Sequence, residues 1–126
     1  MRVLLDTQAL CILSGAVDGA VPKRLQNILA DPKTERLLST VSLMEIASKS
    51  AKLGMSEQQS RQAVKDLVLT VIPFAAEHAY RVFSLPKHHK DPWDRLLIAT
   101  ALIENVPIAG GDRIFKKYKG LQILWK

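Results

Sequence analysis

A chain of 126 residues, 48% of them apolar, is long enough to bury a hydrophobic core and too apolar to be intrinsically disordered. No apolar run reaches the roughly 18 residues that a membrane-spanning helix needs, and the early Asp6 argues against a signal peptide. With 18 Lys and Arg against 12 Asp and Glu, the formal net charge is +6, which favours an anionic partner such as nucleic acid.

The chain has a single cysteine, Cys11, which cannot form an internal disulfide. We therefore expect a reducing compartment, the cytoplasm. Cys11 lies among Ala9, Leu10, Ile12 and Leu13, and this apolar neighbourhood predicts a small core residue rather than a nucleophile.

Short apolar runs predict strands, and apolar residues at helical spacing predict helices. The elements expected in the first half of the chain are, in order, a buried strand at 2–5, helices at 9–14 and 22–30, and a strand at 36–41. Ser42 and Glu45 match a capping box, so the next helix is expected to open at Ser42 and to end at Gly54. Ser56 is expected to cap a further helix.

The second half of the chain continues the alternation of strands and helices. The expected elements are a strand at 69–74, a helix at 77–85, a basic loop at 86–90, a buried helix at 92–104, a strand at 106–109, a turn at 110–111, a helix from Asp112 to Tyr118 and a strand at 121–124. This order predicts an α/β fold with a mainly parallel central sheet of about four to five strands. We expect residues 1–126 to form one domain.

Four acidic residues are expected at one edge of this sheet. Asp6 directly follows the first strand, Asp112 follows the fourth across a Gly-Gly turn, and Glu45 lies in the helix after the second. Asp94 shares a helical stripe with the apolar residues three, four and seven positions later, so it is expected to point inward. Because ligands of open parallel sheets bind beyond the carboxyl ends of the strands, these acids mark a candidate site.

Each acid also has an ordinary structural interpretation. Asp6, Asp91 and Asp112 are possible helix caps, and Glu45 is a possible member of a capping box. Caps point in any direction, however, whereas these acids converge, and clustered carboxylates repel one another unless a cation offsets their charge. Oxygen-only ligands suit Mg²⁺ or Mn²⁺. An acidic floor beneath a basic rim is typical of a nuclease, with metal at the scissile phosphate and cations at its neighbours.

Four segments resemble the motifs of the PIN-domain family, and most closely those of VapC toxins of bacterial and archaeal toxin–antitoxin pairs. They are DTQAL at 6–10, SLMEIASK at 42–49, DPWDRLLIATA at 91–101 and GGDRIFKKY at 110–118. The resemblance implies a three-layer domain with endoribonuclease activity. Its catalytic acids would be Asp6, Glu45, Asp94 and Asp112, of which Asp6, Asp94 and Asp112 hold Mg²⁺ or Mn²⁺, and Asp91 would have a supporting role.

The same resemblance implies partners. In the family, the helical hairpin that corresponds to residues 43–72 forms a groove for the C-terminal segment of the antitoxin, and toxins pair into dimers. It implies a VapB-like antitoxin and a homodimer for this chain. The alternative for the hairpin is an ordinary packed core.

The chain departs from the family pattern at two positions. Gln8 stands where many relatives carry His, and Gly110 stands where many carry Thr or Ser. Neither change removes a carboxylate. We expect loss of the hydroxyl at Gly110 to weaken the support of Asp112.

Several basic and aromatic residues are candidates for contact with RNA. The predicted contacts are Lys90, Arg95, Lys116 and Lys117, with Lys87 and Lys119 nearby. The lysines at 116–119 are either a phosphate clamp, which is favoured, or a solvated face. Arg95 has the alternative of pairing with Asp91, four residues earlier. Trp93 and Tyr118 are either base-stacking or packed. His88 and His89 suggest a transition-metal site, but a solvated basic loop is the favoured interpretation.

Two other functions compete with the nuclease. A Mg²⁺-binding receiver-type signalling domain also carries acids at strand ends, but it needs a paired acid after its first strand, and Asp6 stands alone. The other competitor is a catalytically silent PIN domain that binds RNA or a partner without cutting. The presence of all four acids argues against it.

Overall fold

Five short strands form one sheet at the centre of the protein. The computed structural model describes all 126 residues. The strands are β1 (Arg2–Leu5), β2 (Glu35–Ser39), β3 (Leu69–Ile72), β4 (Ile108–Ala109) and β5 (Ile123–Leu124). Their order in the sheet is β3-β2-β1-β4-β5, and every pairing is parallel. The α/β fold predicted from the sequence is confirmed, and the sheet is entirely parallel.

Helices cover both faces of the sheet and complete three layers. They are α1 (Thr7–Leu13), α2 (Lys23–Ala30), α3 (Thr40–Ser48), α4 (Ser50–Leu53), α5 (Glu57–Asp66), α6 (Ala76–Phe83), α7 (Pro92–Glu104) and a 3₁₀ helix (Arg113–Lys117). None of these helices combines the length and the apolar character that crossing a bilayer requires.

The strand β1 is apolar because both of its faces are buried. Val3 and Leu5 pack with α1 and α2 on one face, while Leu4 packs with α7 on the other, and all three are fully buried. Side chains alternate between the two faces of a strand, so a strand covered on both sides must be apolar at every position. Cys11, as predicted, is a core residue that is 1% exposed.

The helix α7 runs through the largest hydrophobic cluster. Its central residues 97–101 are buried, and its first turn lies at the edge of the sheet. Asp91 caps this turn, as its position before Pro92 predicted: its Oδ1 accepts from the backbone N–H groups of Trp93 at 2.8 Å and Asp94 at 3.4 Å. The cap holds the first turn of α7 in place and with it the direction in which the Asp94 side chain points.

The start of α3 differs from the prediction. Ser39, not Ser42, caps the helix, and its Oγ accepts from the backbone N–H of Val41 at 3.0 Å. The β-branched Val41 favours a strand, but Ser39 is an equally good cap and stops β2 first. Ser42 therefore lies inside the helix, where its Oγ accepts from the Thr7 hydroxyl at 3.0 Å. The capping box predicted for Ser42 and Glu45 is wrong, and Glu45 lies one and a half turns inside α3.

The other differences are in the bounds of elements. The helix predicted to run to Gly54 is divided at Lys49 into α3 and α4, and Gly54 ends α4 with the left-handed φ of 69° that favours glycine. Each of β3, β4 and β5 is two residues shorter than predicted. The helix after Asp112 is a 3₁₀ turn, in which the N–H of Tyr118 bonds to the carbonyl of Phe115.

Candidate active site

The acidic residues lie at the point where the order of the strands in the sheet reverses, between β1 and β4. From β1 the chain proceeds to β2 and β3 on one side and later to β4 and β5 on the other, which leaves a crevice beyond the carboxyl ends of β1 and β4. Asp6 follows β1, and its N–H bonds to the carbonyl of Ala109 in β4 at 3.0 Å. Asp112 follows β4 by three residues, so it stands on the other side of the same crevice.

Asp6 is the most buried of the four acids, with 4% of its surface exposed. It caps α1 by accepting the Ala9 N–H on Oδ1 at 2.7 Å. Burial raises the pKa of Asp6 to about 7 against the opposing effect of this hydrogen bond, and repulsion from Asp94, Glu45 and Asp112 adds to the rise. Asp6 therefore caps α1 and also lies in the acidic cluster, so both interpretations of this residue from the sequence apply.

Glu45 carries a carboxylate oxygen with no partner. Its Oε2 accepts from the Lys49 ammonium at 3.0 Å, but its Oε1 is buried without a hydrogen bond, the only buried side-chain atom of the protein in that state. Leaving a buried acceptor unpaired costs about 1–3 kcal/mol. The charge of Glu45 contributes to the raised pKa of both Asp6 and Asp94, so it faces the same site.

Asp94 and Asp112 converge on the ring of His89. The Nε2 of His89 lies 2.7 Å from Oδ2 of Asp112 and 3.1 Å from Oδ2 of Asp94. Burial raises the pKa of Asp94 to about 6, repulsion from Asp91 adds to the rise, and His89 opposes it. Asp112 also caps the 3₁₀ helix, since its Oδ1 accepts from the Ile114 N–H at 2.9 Å.

The three groups His89, Asp94 and Asp112 form a compact set whose possible ligand atoms all lie within 4.8 Å of one another. Asp6 and Glu45 lie outside this set but within electrostatic reach of it. The structure therefore brings the four predicted acids together and adds one histidine to them.

The sequence pattern of the PIN domain family matches residues 3–121 of the chain. This chain belongs to the PIN domain family. The match confirms the resemblance at the level of the family and leaves the receiver-domain alternative without support. The comparison with curated proteins gives no match.

Among solved structures, the fold of this PIN domain is similar to that of chains from three toxin–antitoxin complexes. VapBC-1 of nontypeable Haemophilus influenzae has a TM-score of 0.71 at 17% identity, covering 98% of this chain and 97% of that one. VapBC2 of Rickettsia felis, bound to a promoter DNA fragment, has a TM-score of 0.69 at 17% identity and 98% coverage of both chains. A toxin–antitoxin complex of Klebsiella pneumoniae has a TM-score of 0.66 at 22% identity, covering 97% and 95%. At these identities the likeness shows the fold.

Hydrogen bonding decides which nitrogen of His89 carries a proton. The Nδ1 of His89 accepts the backbone N–H of Asp91 at 3.1 Å, so Nδ1 must keep its lone pair. The hydrogen of the neutral ring is then on Nε2, which donates to Asp112. In this arrangement His89 is a donor that positions carboxylates rather than a metal ligand.

The solvated loop predicted for His89 is wrong. His89 is 8% exposed, and its backbone N–H donates to the hydroxyl of Tyr118 at 2.9 Å. Tyr118 itself is 3% exposed, so it is a packed residue and not a base-stacking one. His88 remains exposed, as predicted for the loop.

We expect His89→Asn to weaken Mn²⁺ binding by about 10- to 100-fold, the usual cost of removing a group that positions metal ligands. Asparagine can still accept the Asp91 N–H through Oδ1, but it offers no donor where Nε2 stood. His89→Gln places an amide N–H near that point and is expected to restore part of the affinity. The measurement is Mn²⁺ titration by calorimetry or by electron paramagnetic resonance.

His78→Asn is the matched control. His78 is 3% exposed, and its ring makes the same kind of pair of contacts, with the Ala75 N–H at Nδ1 and Glu104 at Nε2, at the opposite end of α7. It should lower stability while leaving Mn²⁺ affinity unchanged. Equal affinities for the Asn and Gln variants of His89 would contradict the positioning role.

Gly110 lies against Asp6 rather than against Asp112. A Cβ added at this position would stand 2.7 Å from Cε2 of Phe115 and 2.8 Å from the Asp6 Cγ. The support of Asp112 comes from His89 and Ile114, so the effect expected at Asp112 from the missing hydroxyl has no counterpart in the structure. Gln8, the other departure from the family pattern, is exposed and makes no side-chain hydrogen bond.

Three of the four residues predicted to contact RNA are exposed lysines. Lys90, Lys116 and Lys117 are exposed, and Arg95 donates to the carbonyl of Pro86 at 3.0 Å instead of pairing with Asp91. Trp93 is half-buried against the largest cluster. RNA contact by these basic residues stays a prediction.

Proposed function

We propose that this PIN domain is a metal-dependent endoribonuclease and acts as the toxin of a toxin–antitoxin pair in the cytoplasm. The observation that carries the nuclease is the acidic crevice, in which four carboxylates face a single ammonium group, that of Lys49. Asp6 and Glu45 are buried there with Asp94 and Asp112 beside them, the pKa of Asp6 is raised to about 7, and one oxygen of Glu45 has no partner. Buried groups with strongly shifted pKa values concentrate at sites of binding and catalysis, which supports such a role for this crevice.

The donor set fits a hard divalent cation. Carboxylate oxygens are the ligands that Mg²⁺ and Mn²⁺ prefer, and the unpaired Oε1 of Glu45 is a vacant acceptor among them. Asp6, Asp94 and Asp112 would hold the ion, with Glu45 binding directly or through water. Such an ion would neutralise charge on a phosphate and lower the pKa of a bound water, so that hydroxide is available to attack the phosphorus.

The remaining residues position these groups. His89 donates to Asp112 and lies against Asp94, which fixes the two carboxylates side by side. Asp91 supports both, because its backbone N–H bonds to His89 and its side chain caps the turn that carries Asp94. The exposed Lys90, Lys116 and Lys117, with Arg95, would neutralise the phosphates on either side of the bond that is cut.

Support for the toxin role comes from a groove between α3 and α5. This groove has a volume of about 750 Å³, and its apolar wall consists of Leu43, Ile46, Ala47, Met55, Val64 and Val71. It lies within residues 43–72, where the resemblance placed the antitoxin, and the similar solved structures are toxin–antitoxin complexes. We propose a VapB-like antitoxin segment as its occupant and a homodimer as the state of the toxin.

RNA cleavage tests the nuclease. Labelled single-stranded RNA should be cut with Mg²⁺ or Mn²⁺ and left intact with a chelator. Asp94→Asn should lower the rate by at least about 100-fold, more than the usual cost of losing a group that only positions a ligand. The matched control is Asp18→Asn, since Asp18 is exposed and its side chain forms no hydrogen bond or ion pair. Cleavage that persists with the chelator, or an Asp94→Asn rate equal to that of the control, would overturn the proposal, and RNA binding without any cleavage would favour the silent PIN domain.

A further inference from the structure

A basic cavity adjoins the acidic crevice, and the two share Gly110, Gly111 and Asp112. It has a volume of about 410 Å³, within the usual range for a small-ligand site. Four cations line it: Arg24 from α2, Arg113 and Lys116 from the 3₁₀ helix, and Lys126 beyond β5. We call it the cationic pocket.

The four cations have no anionic partner in the protein. None of them forms an ion pair or a side-chain hydrogen bond. Asp112 is the only acid that lines the pocket, and both of its oxygens are bonded elsewhere, to His89 and to the N–H of Ile114. Like charges gathered around one cavity repel one another, so the pocket is electrostatically suited to an anion.

The opposite wall of the pocket is apolar and aromatic. It consists of Leu25, Ile28, Ile123, Leu124 and Trp125. The indole of Trp125 rests on the backbone of Gly111, where an added Cβ would stand 2.7 Å from Nε1 and 2.9 Å from Cε2. Trp125 is half-buried against the cluster that joins β1 to α2, so its ring is held in place while part of it stays exposed to the pocket.

An anion with a flat apolar part matches both walls. A free phosphate would leave the aromatic wall unused, whereas a nucleotide offers a phosphate to the cations and a base to the indole. We propose that the cationic pocket holds one nucleotide of single-stranded RNA, with its base on Trp125 and its phosphate among the four cations. This rests on the proposed function: the pocket opens next to Asp112, so this nucleotide lies beside the one whose phosphate is cut.

Binding of a short single-stranded RNA in the presence of a chelator tests the pocket without cleavage. Trp125→Leu should lower the affinity by about tenfold, the usual contribution of one stacked base, and leave the salt dependence unchanged. Arg24→Gln combined with Lys126→Gln should instead reduce the slope of log affinity against log salt by about 0.7 for each charge removed. Lys33→Gln with Lys52→Gln removes two exposed cations elsewhere and should change neither quantity.

Tryptophan fluorescence separates stacking from an indirect loss of structure. The chain has two tryptophans, Trp93 and Trp125. In Trp93→Phe, RNA should quench the fluorescence of the remaining Trp125, whereas in Trp125→Phe the quenching should disappear. The reverse pattern would overturn the proposal, as would an unchanged salt slope in the double variant of Arg24 and Lys126. Neither result depends on cleavage, so a protein that binds RNA here but never cuts it would refute only the nuclease.

Discussion

Asp6→Asn is expected to lower the rate of RNA cleavage by at least about 100-fold and, at the same time, to stabilise the metal-free protein. The two effects have one cause. The carboxylate of Asp6 is buried beside three other acids, and burial raises its pKa from 3.8 to about 7. Its charged form, which would bind a cation, is therefore the form that the metal-free fold disfavours.

The sign of the pH dependence follows from the direction of this shift. Between pH 3.8 and about 7 Asp6 holds more protons in the folded protein than in the unfolded chain, so its contribution to the free energy of unfolding falls as the pH rises through this window. Asp94, with its pKa raised to about 6, acts in the same direction. The rise of the Asp6 pKa from 3.8 to about 7 limits its effect on the free energy of unfolding to on the order of 4 kcal/mol.

Urea denaturation with a chelator at pH 4 and pH 8 measures the stability. Asparagine can still accept the Ala9 N–H but carries no charge, so we expect Asp6→Asn to add on the order of 2 kcal/mol at pH 8 and almost nothing at pH 4. Added Mn²⁺ should stabilise the wild type by about 2.7 kcal/mol at 100 times its dissociation constant, and the variant by less. Asp18→Asn should match the wild type throughout. A variant less stable than the wild type at pH 8 would show that the fold favours the charged carboxylate.

Gly110→Ala is expected to reduce both Mn²⁺ affinity and cleavage by more than tenfold. The added Cβ would collide with the Asp6 carboxylate and with Phe115. These residues are 4% and 0% exposed, so neither side chain can move away without disturbing its neighbours. Overpacking of this kind costs about 1–3 kcal/mol in stability. Gly110→Ser should behave alike, because the clash comes from the Cβ and not from the hydroxyl.

The neighbouring glycine provides the matched control. A Cβ at Gly111 would meet the indole of Trp125 instead of Asp6. Gly111→Ala should therefore leave Mn²⁺ affinity unchanged while weakening RNA binding. Calorimetric titration of Mn²⁺ and RNA against both variants separates the two sites. Normal Mn²⁺ affinity in Gly110→Ala would mean that Asp6 does not hold the ion.

The sequence predicted the parallel sheet and the convergence of the acids because both depend on local signals. Apolar runs mark buried strands, and an acid placed directly after such a strand must lie at its carboxyl end. This signal was enough for Asp6, and for Asp112 it was joined by the short Gly-Gly turn after β4. The start of α3 was missed because Ser39 and Ser42 are equally good caps, and the choice depends on where β2 stops pairing with its neighbours.

The burial of His89 and the position of Trp125 had no local signal. His89 stands in the polar run Lys87-His88-His89-Lys90 and is buried by contacts with Asp112 and Tyr118, which are 23 and 29 residues away. The contact of Trp125 with Gly111 likewise depends on the pairing of β4 with β5. Only the folded chain brings these partners together.

The strands β4 and β5 are two residues long, and β5 is the edge of the sheet, whereas the central strands β1 and β2 are four and five residues long. Few hydrogen bonds therefore separate the native arrangement from one in which this margin of the sheet has opened. Asp112 and Trp125 directly adjoin these short strands, whereas Asp6 follows the central strand β1 and Asp94 lies in the buried helix α7. Transient opening of β4 and β5 would displace Asp112 and Trp125 while Asp6 and Asp94 stay in place. A ligand bound to residues of both groups would suppress this opening.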